Sequence, residues 1–153
     1  METAESMKSY KLDSFDIYLD IDGVLKYVAA PSADVEALLW YCLTYHPNST
    51  YWLTTHCRGG VNNAPRALSG ILPDDLYNEV CIKFKPCDFG AMKTDGINFA
   101  RPFVWLDDNL FKSELAVLEE KGATDNAFWV DSRDDECLAA ALEFIEAREI
   151  RQD

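Results

Sequence analysis

Positive charge is what this sequence has least of. Fourteen Lys and Arg stand against 27 Asp and Glu, a formal net charge of −13. Binding along a nucleic-acid backbone needs clustered cations that replace condensed counterions, so generic nucleic-acid binding is disfavoured. No apolar run approaches the roughly 18 residues of a membrane span, and the opening METAESMKSY lacks a hydrophobic signal core. The expectation is a cytoplasmic protein without membrane contact. Cysteine occurs at Cys42, Cys57, Cys81, Cys87 and Cys137, an odd number with no CxxC pair. That pattern excludes a disulfide framework and a structural zinc site, and the thiols are read as reduced. Internal repeats, linkers and low-complexity segments are also missing.

What remains is an ordinary soluble composition, 48% hydrophobic and 27% charged over 153 residues. That length closes one hydrophobic core and leaves no room for a second. The chain is read as a single domain, 1–153, with residues 1–13 expected to be disordered. FDIYLD, residues 15–20, crowds apolar residues into a run that ends in carboxylates, the pattern of a buried strand. Val35, Leu38, Leu39 and Cys42 repeat at i, i+3, i+4 and i+7, an amphipathic helix running from Pro31-Ser32 to His46-Pro47. STYWLTT predicts a second strand, and the loop GGVNNAPRALSGILP some helix. Glu79 to Phe84 predicts a third strand, Lys93 to Ala100 a short helix and PFVWLDD a fourth strand. Phe111, Leu115 and Leu118 mark a helix stopped by Gly122. AFWV predicts a fifth strand, and Ser132 opens a last helix carrying Leu138, Ala141, Leu142 and Ile145. Strands alternating with helices give an α/β, Rossmann-like three-layer sandwich around a five-stranded, mostly parallel sheet.

In such a sheet the ligand site forms beyond the carboxyl ends of the strands. The first strand delivers Asp20-Ile21-Asp22-Gly23 there, the second Thr54-Thr55 and the fourth Asp107-Asp108. Four convergent carboxylates repel one another unless a cation joins them, and hard oxygen donors beside a phosphate site suit Mg2+. Asp20 and Asp22, two residues apart across a strand-to-loop change, allow one carboxylate to attack while the other handles a proton. Gly23 permits the tight turn between them. Thr54, with Thr55 and nearby N–H groups, offers donors to phosphate oxygens, and Lys93 supplies a fixed positive charge. Lys83 and Lys85 compete for that last role.

Together Asp20-Ile21-Asp22-Gly23-Val24, Thr54 in YWLT, Lys93 and Asp107-Asp108 in VWLDD resemble the four ordered motifs of the haloacid dehalogenase (HAD) superfamily of phosphatases. The resemblance spans residues 15–108 and, with the last two strand and helix elements, nearly the whole chain. It implies Asp20 as nucleophile and metal ligand, and Asp22 as general acid/base whose backbone carbonyl also binds metal. It implies Thr54 and Lys93 as phosphate-binding residues. Either Asp108 or Asp107 touches the metal directly, the other supporting it. The short gap from Gly23 to the first helix and the absence of an extra fold between Thr54 and Lys93 resemble a capless member with an open site.

The expected activity is a magnesium-dependent phosphatase that passes through an aspartyl-phosphate, acting on a phosphorylated small molecule or macromolecule. Two rivals stand beside it: a polynucleotide or nucleotide end phosphatase, and a non-catalytic phosphate-binding or regulatory domain of the same fold. His56 is read as a satisfied or rim residue with a substrate-facing role open. Cys57 invites a nucleophile reading, and Tyr51, Trp52, Trp105 and Trp129 are read as core.

Overall fold

The computed structural model describes residues 9–131 and 133–152. Five short strands form the main sheet, and two of them are buried along their whole length. Strand β1 (Asp16–Leu19) pairs in parallel with β4 (Thr50–Trp52) on one side and with β6 (Phe103–Asp107) on the other. Outside these lie β5 (Lys85–Pro86) and β7 (Ala127–Trp129), giving the order β5-β4-β1-β6-β7, all parallel. A separate hairpin, β2 (Lys26–Tyr27) with β3 (Ala30–Pro31), follows the first strand.

Side chains alternate across the sheet, and each central strand feeds two cores. Ile17, Leu19, Trp52, Val104 and Leu106 face one layer, with α1 (Val35–Tyr45), α2 (Ala64–Leu68), α3 (Asp74–Lys83) and α5 (Cys137–Glu146). Tyr18, Leu53, Phe103 and Trp105 face the other, under α4 (Lys112–Glu120) and a 3-10 turn over Lys93–Gly96. Burial on both faces explains why β1 and β6 read as continuous apolar runs rather than alternating ones. The fold is therefore the expected Rossmann-like α/β arrangement. No helix among the described residues is long and apolar enough to cross a membrane. All five cysteines are unpaired.

Three element expectations need correction. Glu79 to Phe84 is not a strand: it completes α3, and the third strand is the short β5 that follows. Leu76 and Val80, four apart, share the buried face of that helix while Ile82 is 76% exposed. Asp74 and Asp75 in the first turn and Lys83 in the last complement the helix dipole, a signal masked by the β-branched residues of EVCIKF. The expected helix from Lys93 to Ala100 contracts to the 3-10 turn. Of the segment 1–13 expected to be disordered, residues 1–8 lie outside the described residues. Tyr10 is buried, bridges to Arg151 and stacks edge-on against Tyr45, because the C-terminal tail returns beside it. Ser132 also lies outside the described residues, and α5 begins at Cys137. Gly122 does close α4, in the left-handed region at φ 67°.

That C-terminal tail is pinned by a buried polar cluster. His46 Nε2 lies 2.7 Å from Glu149 Oε2, and the Tyr41 hydroxyl donates to the same oxygen. Burial first, then the Glu149 contact, pushes the Tyr41 phenol far above its ordinary range.

Candidate active site

Sheet register brings the acids together. Leu19 is opposite both Trp52 and Leu106, so Asp20, Leu53 and Asp107 sit at one level at the carboxyl edge. The Asp20 N–H donates to the Leu106 carbonyl at 3.1 Å and the Leu53 N–H to the Leu19 carbonyl at 2.8 Å, extending the ladder to that level. By the period of two, Asp20 continues the face of Tyr18, and Asp107 that of Trp105. Both carboxylates therefore point toward the layer holding the Lys93 turn.

Lys93 meets them there. Its Nζ lies 3.0 Å from Asp20 Oδ2 and 2.7 Å from Asp107 Oδ2. Burial alone would push the ammonium down, but the charges of Asp20 and Asp107 outweigh it and hold Lys93 above its ordinary value. The turn is anchored from α4: buried Glu114 accepts from the Lys93 N–H at 2.9 Å and from the Phe111 N–H at 3.1 Å. Of the three lysines weighed from sequence, only Lys93 reaches the acids. Lys83 ends α3, and Lys85 is exposed on β5.

Asp20, Asp107 and Asp108 each place a carboxylate oxygen within 4.8 Å of the others. Burial, followed by the Asp20 charge, pushes the Asp107 carboxyl up to about 7 against the opposing pull of Lys93. The same two causes, in the same order, raise Asp108. Three carboxylates and one ammonium leave an excess of negative charge in a largely buried place. Oxygen-only donors with that excess fit a hard divalent cation. Asp107 Oδ1 also accepts from the Asn109 N–H at 3.0 Å, and Asp20 Oδ1 from the Ile21 N–H at 2.8 Å, which fixes both groups.

Asp22 does not join this cluster. Its carboxylate points outward to His56 Nε2 at 2.7 Å and Lys26 Nζ at 3.8 Å. The expected side-chain company of four acids is thus three, and any metal contact from Asp22 falls to its backbone carbonyl. Gly23, at φ 78°, turns the chain so tightly that its Cα abuts Asp108. Thr54 is buried at the same edge, one residue past Leu53, and its hydroxyl accepts from the His56 N–H at 3.4 Å. Thr55 is exposed and opens a 3-10 turn, Thr55–Cys57.

Comparison with protein-family models, curated proteins and solved structures returned no match. The geometry carries the functional reading.

Two neighbours of the site were not legible as such. His56 follows directly on Thr54-Thr55, and that proximity was the only signal; the turn swings its imidazole onto Asp22. Glu114 showed only as an acid in the first turn of a helix. Cys57 is held away from solvent: its buried thiol donates to Asn62 Oδ1 at 3.7 Å, and burial raises its pKa. Trp52 and Trp105 are core as expected and Tyr51 is half-buried, stacked on Tyr18. Trp129 is not core. It ends the edge strand β7 with 60% of its surface exposed, because none of the described residues packs over the last residue of that strand.

Proposed function

We propose that this chain is a magnesium-dependent phosphate monoester hydrolase, a capless HAD-like phosphatase, working through an aspartyl-phosphate on Asp20. The observation that carries the reading is Lys93 Nζ bridging Asp20 and Asp107 at 3.0 and 2.7 Å beside Asp108. Nucleophile, fixed cation and metal-binding acids then occupy one strand edge, in the chain order of the four motifs. No inserted domain separates β1 from α1, only the hairpin 26–31.

Asp20, Asp107 and Asp108 would hold the ion, which when bound offsets their charge and that of the phosphoryl oxygens. Asp20 attacks phosphorus with a carboxylate oxygen, and the bond from phosphorus to the ester oxygen breaks. Asp22, poised outside the metal-binding cluster on His56 and Lys26, gives its proton to the departing oxygen. The ionised Asp22 then takes a proton from water as that water attacks phosphorus. The bond from phosphorus to Asp20 breaks, returning free carboxylate and inorganic phosphate. Lys93 holds Asp20 in place for attack and lies where it can neutralise charge in transfer. Thr54 is the hydroxyl available for a phosphate oxygen.

The test is release of phosphate from an aryl phosphate with and without Mg2+. Wild-type protein is expected to turn over only with the ion and Asp20→Asn not at all. Undiminished turnover in Asp20→Asn would sink the mechanism.

A further inference from the structure

Next to the acids the surface opens into a cleft of about 470 Å³ whose lining includes Asp22, Asp108, Tyr27, Val28, Trp129 and Arg133. Asp22 and Asp108 tie the cleft to the candidate site. Two further lining residues are aromatic and exposed: Trp129 at 60% on the end of β7, and Tyr27 at 51% on the hairpin. Two large exposed aromatic side chains lining one cleft mark a surface suited to a flat apolar ligand.

Their placement is built in. Trp129 is opposite Asp107 in the β6-β7 register, so its backbone is one strand spacing from the site. The hairpin is held by the Gly23 N–H donating to the Lys26 carbonyl at 2.8 Å and by the Ile21 carbonyl accepting from Leu25 at 2.9 Å. At its tip Val28 takes φ 59° with 78% exposure. The left-handed region is a genuine outlier for a β-branched residue, and such strain persists where the surroundings impose it, often at ligand sites. Arg133 brings cationic donors to the same cleft. Its Nε is held by Asp131 at 3.1 Å, while its two terminal nitrogens have no hydrogen-bond partner among the described residues.

We propose that this cleft holds the heteroaromatic ring of the substrate's leaving group, and that the substrate is a nucleoside monophosphate. The inference rests on the hydrolase reading and names its substrate class. Tyr27 and Trp129 supply stacking surface, Arg133 and Asp131 supply a donor and an acceptor for ring heteroatoms, and the phosphate lies toward Asp20. A bare phenyl ring would use neither polar group. A free nucleotide is favoured over a strand end because Arg133 is the only cation among the described residues lining the cleft and the chain carries a net charge of −13.

The decisive measurement is calorimetric binding, in Mg2+, of the nonhydrolysable methylenephosphonate analogues of AMP and of ribose 5-phosphate. Stacking on an aromatic side chain is worth about tenfold or more per base. The AMP analogue should bind at least that much tighter; Trp129→Ala should erase the margin and Trp129→Phe restore most of it. Equal binding of the two analogues, or a margin untouched in Trp129→Ala, overturns the proposal. A 5′-phosphorylated dinucleotide binding tighter than the AMP analogue would keep ring recognition and overturn the choice of a free nucleotide. Turnover of AMP by wild-type protein is followed in parallel. Trp129-dependent binding without phosphate release would remove the hydrolase reading and leave the ring site. Release unaffected by Trp129→Ala would do the reverse.

Discussion

Substituting Gly23 by Ala should damage both stability and metal binding, the first through the backbone and Asp108, the second through Asp108 alone. A Cβ added at Gly23 would lie 2.0 Å from Asp108 Oδ2, 2.4 Å from its Cγ and 2.9 Å from its Cβ. Rotating the Asp108 side chain relieves the first two contacts. It cannot relieve the third, because Cβ moves only with the backbone. An L-residue held at φ 78° costs about 1–2 kcal/mol. Forcing a methyl into filled space adds about 1–3 kcal/mol, giving a total of about 2–5 kcal/mol. Urea unfolding with an unchanged m-value measures it. In an Asp108→Gly background all three clashing atoms are gone, so Gly23→Ala should then cost only the backbone share. Magnesium at about 100 times its dissociation constant should stabilise the wild type by about 2.7 kcal/mol. With Asp108 displaced, Gly23→Ala should lose most of that gain. An equal cost of Gly23→Ala in both backgrounds would refute the claim that the glycine exists to make room for Asp108.

The Asp107 carboxyl is pushed up to about 7 from 3.8, so the folded metal-free protein keeps a proton that the unfolded chain has released. Stability in chelator should therefore fall as pH rises from about 4 to about 7 and stay low above it. Melting curves in EDTA across that range, rising where a fall is expected, would contradict this; Asp107→Asn should flatten the dependence, and Mg2+ should counter it. His56 reaches Asp22 through Nε2 at 2.7 Å. His56→Ala should lower kcat by about tenfold, a fraction of the roughly 10²–10⁴-fold that a positioned acid/base contributes, with KM little changed. His56→Gln, which keeps an amide nitrogen for Asp22, should recover part of it, and equal losses in the two variants would argue against this role. Glu149→Leu removes the carboxylate from a cluster in which His46 and Glu149 side chains are fully buried. A loss of about 3–5 kcal/mol in denaturant titration is expected for an orphaned buried partner, and a neutral result would show that the tail is not pinned there.

Much of the site was legible because it lies where local pattern and fold class agree. FDIYLDIDG and PFVWLDD each end an apolar run in acids, and a parallel sheet turns that shared ending into a shared location. Thr54, closing the run YWLT, needed only the same rule. EVCIKF misled because its β-branched residues suit either a strand or a helix, and packing of Leu76 and Val80 against neighbouring helices decided the matter. No local pattern shows that Trp129 ends at an uncovered edge, or that the turn after Thr54 swings His56 onto Asp22.

By itself, then, the amino-acid order determined the strand ends, their carboxylates and the α/β alternation, since these follow from periodicity within a few residues. Tertiary structure alone decided the partners. Lys93 was set on both Asp20 and Asp107, Asp22 was sent to His56 and away from Asp20, Asp107 and Asp108, and Tyr27, Trp129 and Arg133 were gathered into one cleft. Each of those depends on distances between segments far apart in the chain, set by sheet register and by which layer covers which face.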